Sequence, residues 1–330
     1  MRLAVTGILA LAGCLALGAA AQAAELRYGS PFPPNHIMQK HMMEPWAKEI
    51  EAQSKGTLKI TFHPGGELGS GPQMYKRVVD GVADMGISLQ GFTSDQFPRT
   101  MLIELPGLAK DNQTAARMLY RAYDLVKPDY DRTRVLALWS TGPNTFMMRK
   151  DPVRGIDDLK GKRLRTPSAF LGDIIKATGA SPVSMPINDL YHALQTGVLD
   201  GAGTGASALE GFKLGEVLKY YTDYTVGVSP LFIVMNPRSY DRLSPEHRAL
   251  VDKTTGLELS LKGAKVYDDE AIRQLDAEIK SGRGELHKMS EAEQKRLDDA
   301  IAPVSEKFIA DREAKGIPAR KIVETMKGGA

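Results

Sequence analysis

The sequence is poor in several features that would indicate particular protein classes. Its 330 residues include one cysteine, Cys14, so a chain shortened at the N-terminus past that point has no thiol for a disulfide, a nucleophile or a metal site. After the first residues, no apolar run reaches the roughly 20 residues of a membrane-spanning helix. With 43 Lys+Arg against 40 Asp+Glu, the formal net charge of +3 is too balanced to indicate a nucleic-acid surface.

Catalytic motifs are missing as well. The chain has no His-Glu-x-x-His, no G-x-S-x-G and no phosphate-binding P-loop. The glycine-rich stretch 201–205 (GAGTG) lacks the spacing of a dinucleotide loop and is interpreted as a turn. We therefore expect neither catalysis nor a metal or other cofactor. The six histidines lack metal-ligand spacing and are expected at the surface: His36, His41, His63, His192, His247 and His287.

The first residues are organised like an export signal. Arg2 supplies a positive charge, residues 3–17 are apolar but too short to span a bilayer, and residues 21–23 (AQA) form an A-x-A cleavage site. We expect cleavage after Ala23 or Ala24 and a soluble, periplasmic mature protein.

A lipoprotein signal is the competing interpretation of the same segment. Residues 11–14 (LAGC) resemble a lipobox, which would leave a lipidated Cys14. The apolar run continues past Cys14 to the A-x-A site, and this continuation argues against lipidation.

The rest of the chain has globular composition, with 42% hydrophobic and 25% charged residues, and is long enough for two cores. Extended and helical patterns alternate along it, which predicts βαβ units and an α/β layer architecture. From Ser244 onward the pattern is almost wholly helical. The predicted strands are residues 26–29, 58–63, 83–89, 134–139, 163–166, 181–185, 198–202 and 231–235.

Several residues predict where helices begin or bend. Asp111 and Asn188 are suitable N-caps, and Ser290 with Glu293 forms a capping-box pattern. Pro45 should interrupt an early apolar helix stripe. No low-complexity linker separates the two halves, so the residues alone predict two α/β lobes joined by crossing segments, with a helical tail.

One segment, residues 158–201, carries a dense and ordered set of motifs. It contains DLKGKRLR, then GASPVSMP, then LYHALQTGVLDG. This order resembles the signature of the DctP family, the solute-binding proteins of TRAP transporters, in which DLKGxKxR, GAxPxPMP and LYxALQTGxxDG follow one another. The resemblance covers nearly the whole chain after the signal.

The resemblance implies a two-lobed periplasmic binding-protein fold with a long helix spanning both lobes. We expect a signal peptide at 1–24, lobe I at 25–141 with 231–270 returning to it, lobe II at 142–230, and a helical tail at 271–330 packing across the lobes. It also implies a small organic carboxylate as ligand, and as partners the small and large membrane subunits of a TRAP permease. A monomer is the family's default state.

Arg165 is the predicted carboxylate-binding residue. From composition alone, Lys160, Lys162, Arg163 and Arg165 would be a solvated charge run. The resemblance changes the interpretation for Arg165 only, because the family places its carboxylate-clamping arginine at this position. A guanidinium offers two parallel donors that match two carboxylate oxygens.

Other positions depart from the family's sugar-acid and C4-dicarboxylate binders. Asn144 stands where a second arginine is common, Thr204 where an asparagine is common, and Ile187 where a phenylalanine is common. Leu89 and Phe92 stand where sialic-acid binders carry polar side chains. One fixed charge with an apolar wall favours a monocarboxylate with a hydrophobic or aromatic body.

Further ligand contacts are predicted at Ser88, Ser207 and Phe232, the last on a strand beside the expected hinge. The alternative is that Gln90, Ser207 or Lys213 supplies the missing polar contacts, so that the ligand is a dicarboxylate or a sugar acid. Glu67 is expected to be solvated.

Two other functions remain open at this point. The same fold can present its ligand to a receptor as a sensory binding protein. A secreted enzyme would need a nucleophile–base pair or a metal set, which the motifs do not offer.

Overall fold

The computed structural model describes residues 23–328. The predicted signal segment, the A-x-A site except Ala23, and Cys14 lie outside the described residues. Within them, nine strands form one mixed sheet. The strands are β1 (Ala24–Gly29), β2 (Leu58–His63), β3 (Met85–Leu89), β4 (Arg134–Met148), β5 (Arg163–Thr166), β6 (Ser181–Ser184), β7 (Gly201–Thr204), β8 (Tyr220–Met235) and β9 (Glu285–His287).

Helices cover both faces of the sheet and form the C-terminal region, as the predicted α/β class with a helical tail requires. They are α1 (Glu44–Gln53), α2 (Gly71–Val79), α3 (Asn112–Arg121), α4 (Tyr123–Val126), α5 (Ala169–Ala177), α6 (Ile187–Gln195), α7 (Pro237–Asp241), α8 (Pro245–Thr254), α9 (Leu257–Lys280), α10 (Glu291–Glu313) and α11 (Ala319–Lys327).

The sheet has two halves that share a central pair of long strands. Its order is β2-β1-β3-β8-β4-β7-β5-β6, with β9 beside β8. The first half holds the parallel strands β2, β1 and β3, and the second half holds the parallel strands β7, β5 and β6. The antiparallel strands β4 and β8 run through both halves, so they join them by continuous backbone.

These two strands are longer than the sequence indicates. The predicted strand 134–139 continues to Met148 through Gly142 and Pro143, which look like a turn in sequence. Likewise, the predicted strand 231–235 is only the end of β8. The predicted lobe boundaries at 141/142 and 230/231 therefore fall inside strands. Stretch 201–205, interpreted as a turn, contains strand β7.

The central ladder is irregular where the halves meet. Its register shifts on either side of Asn144, which lies opposite Gly227. Gly227 has φ +136°, a backbone conformation that L side chains rarely adopt, and a Cβ there would lie 2.5 Å from the Glu104 carbonyl oxygen. Bulges of this kind bend a strand and increase its twist, which suits the junction of two halves.

Helix α9 spans the two halves, as the resemblance implies. It packs against α3 and β4 of the first half and against the turn at Ala206–Ala208 of the second. The tail also crosses: α10 packs on α5, and α11 packs on α3.

The predicted caps are confirmed in part. Asp111 accepts a hydrogen bond from the Thr114 amide, and Ser290 accepts one from the Glu293 amide. Asn188 is not an N-cap, because α6 begins at Ile187 after Pro186. Pro45 lies at the start of α1, directly after a π-helical turn.

Candidate functional site

A cavity lies between the halves, at the ends of four strands. The last residue of β3 and the segments that follow β1, β5 and β7 reach it, and α9 closes one side. Its empty volume, counted together with the part that is open to solvent, is about 450 Å³. In open α/β sheets, ligands bind beyond the carboxyl ends of the strands, so this position is the expected one.

Arg165, the third of the four residues of β5, supplies the positive charge of the cavity. The residue is 3% exposed, and its Nε donates to the Met185 carbonyl oxygen at 3.1 Å. Within the described part of the chain, its guanidinium forms no salt bridge. Burial lowers the pKa of its guanidinium to about 9, so it stays cationic at neutral pH. A buried, unpaired cation requires an anion from outside.

Short polar side chains surround Arg165. Asn144 Nδ2 donates to Ser229 Oγ at 2.9 Å, which leaves the Ser229 proton free for another acceptor. The hydroxyls of Thr141, Thr204 and Ser207 also line the cavity and make no side-chain hydrogen bond to the residues described in the structure. The cavity thus offers neutral donors beside one cation.

The other wall is aromatic. Phe32 and His36 stack at 4.3 Å between ring centroids and 18° between planes, and Phe212 and Tyr267 flank the imidazole at 5.4 and 6.3 Å. Leu89 extends this apolar surface. A flat, hydrophobic ligand body would therefore find ring faces here.

His36 is buried rather than at the surface as predicted, being 3% exposed. Burial lowers the pKa of its imidazole to about 3, so the ring is neutral at physiological pH. Hence, among the described residues that line the cavity, Arg165 alone is charged.

The structure brings six of the nine predicted contact residues to the cavity. Those six are Arg165, Asn144, Thr204, Leu89, Ile187 and Ser207. Phe92 lines an adjoining depression between residues 65–71 and α6, which shares Phe32 and Ile187 with the cavity. Of the alternative polar suppliers, only Ser207 lines the cavity.

Ser88 and Phe232 lie on the other face of the sheet. Ser88 Oγ donates to the Gly71 carbonyl at 2.8 Å, and Phe232 packs edge-on against Tyr75. The two residues are paired across β3 and β8, one position from the Leu89–Leu231 pair. Because successive side chains on a strand alternate, Leu89 faces the cavity side and Ser88 and Phe232 face α2.

Sequence reasoning missed most of the aromatic wall. Phe32 and His36 lie in the proline-rich segment directly after β1, and the rule that sites form beyond strand carboxyl ends could have indicated them. Phe212 and Tyr267 have no such signal, because only the path of α9 across the halves brings them here.

A larger surface depression of about 980 Å³ is a weaker candidate. Four of its six charged lining residues are already paired: Arg283 with Glu278 at 2.9 Å, and Arg273 with Glu210, as well as with Glu270. Both arginines are more than half exposed, so solvent can satisfy them without a ligand.

Other kinds of site find no support. No group of three or more His, Cys, Asp or Glu residues suited to a metal ion occurs among residues 23–328. Over the same residues, no helix is long and apolar enough to cross a bilayer.

Known proteins resemble this chain over most of its length. The family model for bacterial extracellular solute-binding protein family 7, DctP, matches residues 28–311. A solved TRAP solute-binding protein from an unidentified marine microbe, specific for aromatic acids and holding 3-hydroxybenzoate, superimposes with a TM-score of 0.89. It is 25% identical, and the match covers 93% of this chain and 98% of that one.

Two curated relatives have other ligands in their names. The 2,3-diketo-L-gulonate-binding periplasmic protein of Escherichia coli is 28% identical over 93% of this chain and 94% of its own length. The ectoine/5-hydroxyectoine-binding periplasmic protein of Ruegeria pomeroyi is 27% identical over 97% of this chain and 95% of its own length. Relatives at this level of identity bind different ligands, so the ligand of this chain has to be inferred from the chemistry of its cavity.

Proposed function

Since the chain belongs to the DctP family, the solute-binding proteins of TRAP transporters, we propose that its cavity captures a monocarboxylate with a hydrophobic, aromatic body. Arg165 binds the carboxylate. The neutral donors Asn144, Thr204 and Ser207 complete the polar end, and Leu89 and Ile187 contact the body. The loaded protein then delivers this acid to the membrane permease subunits.

The observation that carries the proposal is the charge balance of the cavity. Arg165 is buried without a carboxylate partner, and the other described lining side chains are neutral. One carboxylate cancels this charge. A second carboxylate would be buried without a cation, and removing an ion from water without a partner costs several kcal/mol.

The aromatic wall favours a ligand with an aromatic body. Phe32, Phe212 and Tyr267 offer ring faces or edges, and burying a ligand ring against them adds hydrophobic and ring–ring stabilisation. The aromatic-acid specificity of the solved marine protein supports the same class. A sugar acid would instead need hydrogen-bond partners for several hydroxyls along this wall.

Contacts between the halves support capture by closure. Asn188 Nδ2 of α6 donates to the Pro31 carbonyl oxygen at 3.1 Å, and both residues line the depression that adjoins the cavity. A Cβ on Gly91 would lie 2.9 Å from the Pro167 carbonyl oxygen, so the backbones of the two halves approach closely there. A ligand that contacts both halves stabilises this arrangement over a more open one.

The test is a binding panel on the purified mature protein. Benzoate, phenylacetate, a branched 2-oxo acid, succinate and glucuronate would be compared by thermal shift, then by calorimetry. At 100 times its dissociation constant, a ligand adds about 2.7 kcal/mol to the free energy of unfolding. Stabilisation by the aromatic monocarboxylates supports the proposal; tighter binding of succinate or glucuronate would refute it.

Arg165→Ala isolates the carboxylate contact. Removing one partner of a buried ion pair costs about 2–5 kcal/mol, so affinity should fall roughly 30-fold or more. Arg163→Ala is the matched control, because Arg163 lies two residues away on the same strand and pairs with Asp200 at 2.9 Å. Unchanged affinity in Arg165→Ala would place the carboxylate elsewhere.

A further inference from the structure

His36 is a polar group in the aromatic wall that the carboxylate contact leaves unused. Its ring stacks on Phe32 and is flanked by Phe212 and Tyr267, and it lines the same cavity as Arg165. An imidazole in such a wall could act simply as another flat ring. The hydrogen bonding of its two ring nitrogens indicates a more specific role in binding.

The position of the proton on His36 follows from its neighbours. The Met38 amide donates to His36 Nδ1 at 3.3 Å, so Nδ1 is the acceptor and carries no proton. Because burial keeps the ring neutral, the single proton is assigned to Nε2. Nε2 makes no hydrogen bond to any residue in the described range 23–328. Besides the charged Arg165, the described cavity wall therefore contains a neutral imidazole N–H donor without a protein partner.

We propose that His36 determines specificity within the aromatic monocarboxylates, by donating from Nε2 to a neutral oxygen on the ligand body. That oxygen would belong to a phenolic or alcoholic hydroxyl, an ether or a carbonyl. This inference rests on the proposed function, because it requires the carboxylate to be bound by Arg165.

The chemistry of the His36 Nε2 donor determines which class of substituent on the ligand ring can bind to it. A second carboxylate would meet a neutral donor instead of a cation, and its charge would stay uncompensated. An ammonium group has only donors to offer and would face another donor. An unsubstituted ring bound there would cover the Nε2–H without giving it an acceptor, so ligands that provide an acceptor gain selectivity.

Two amide variants separate the functions of the two ring nitrogens. In His36→Asn, the amide oxygen can take the place of Nδ1 and accept from the Met38 amide, but no donor reaches the cavity. In His36→Gln, the longer amide can place an N–H near the position of Nε2. His41→Asn is the control, because His41 is exposed and lies on the same turn of chain.

The experiment measures dissociation constants for benzoate, 3-hydroxybenzoate and 4-hydroxybenzoate in all four proteins. The quantity of interest is the ratio between benzoate and the better hydroxybenzoate, since any general loss of affinity cancels in it. We expect wild type and His41→Asn to prefer one hydroxybenzoate by roughly tenfold, as one good hydrogen bond provides. His36→Asn should reduce the ratio to about one, and His36→Gln should restore part of it.

The outcomes distinguish the two proposals. If wild type binds none of the three acids, the proposed function fails. If it binds them but the ratio is the same in wild type and His36→Asn, the function stands and the role of His36 is refuted. Should both amide variants unfold, the wild-type protein still decides. A preference for benzoate over both hydroxybenzoates refutes the role. A preference for a hydroxybenzoate that persists when its hydroxyl is converted into the methyl ether, whose oxygen can only accept, supports the role, and a preference that is lost in the methyl ether refutes it.

Discussion

Replacing Glu104 by glutamine should remove most of the pH dependence of stability near neutrality. Glu104 is fully buried, and its Oε2 accepts from Ser168 Oγ at 2.7 Å, joining the two halves of the sheet. Its Oε1 has no hydrogen-bond partner among the described residues. Burial raises the pKa of this carboxyl to about 8 from 4.5, with the Ser168 hydrogen bond and Arg312 acting in the opposite direction.

The sign of the effect follows from proton linkage. Between pH 4.5 and 8, the folded protein holds a proton on Glu104 that the unfolded chain releases. This stabilisation is therefore complete below pH 4.5 and is lost as the pH rises toward 8, by about 1.4 kcal/mol per pH unit at most. The unfolding free energy should fall with rising pH.

Two other buried groups titrate at lower pH and restrict the pH range in which the slope of stability can be assigned to Glu104. The pKa of Asp129 is raised by burial to about 6, and the lowered pKa of His36 gives an opposite slope between about 3 and 6.5. Above pH 6.5 neither contributes much. From pH 6.5 to 8, Glu104 should therefore cost wild type about 1.5 kcal/mol, or roughly 3 °C in melting temperature.

Urea unfolding and thermal melts at pH 6.5, 7, 7.5 and 8 would measure this slope. Glu104→Gln keeps the shape and an acceptor for Ser168 without a titrating group, so its stability should be nearly level over that range. Glu291→Gln, at an exposed position, should follow wild type. A level wild-type profile, or a slope that persists in Glu104→Gln, would contradict a protonated Glu104.

Two further substitutions test the geometry of the cleft. Phe232→Ala should destabilise the protein by about 3–5 kcal/mol in urea unfolding, because the ring packs in the core against Tyr75 and Phe97. Ligand affinity should stay within about twofold. A selective loss of affinity would mean that Phe232 reaches the ligand. Asn188→Ala removes the hydrogen bond to Pro31 beside the cavity and should weaken binding roughly fivefold, mainly through faster ligand release in stopped-flow measurements. An unchanged release rate would show that this bond does not hold the closed form.

The sequence predicts where short strands lie better than it predicts how far the two long strands, β4 and β8, continue. Leu58–His63 was predicted at its observed bounds, because alternation over six residues is a strong signal. The passage of β4 through Gly142 and Pro143 was not, since that dipeptide is typical of turns. Pairing of Thr141 and Asn144 with β8 and the Asn112 hydrogen bond to the Gly142 carbonyl hold this segment extended, and neither is a local property of the sequence.

The residues of the candidate site likewise divide into those that the sequence predicts and those that depend on distant contacts. Arg165 was predicted because a family motif fixes its position. Ser88 and Leu89 could not be distinguished without the register of β3, since a shift of one residue exchanges the two faces of a strand. The burial of His36 depends on Phe212 and Tyr267, which are distant in sequence, so its neutral, stacked state could not follow from local pattern.

The continuous strands β4 and β8 have a consequence for how the chain acquires its structure. Met85 of the first half pairs with Met235, at the end of β8, and Met148 of the second half pairs with Tyr220, at its beginning. The second half of the sheet cannot be completed before the beginning of β8 has been synthesised, and the first half cannot be completed before its end. A fragment ending before β8 would leave the hydrogen-bonding edges of β3 and β4 open, which is a known route to aggregation. The two halves are thus separate as walls of a cleft but form one unit of folding.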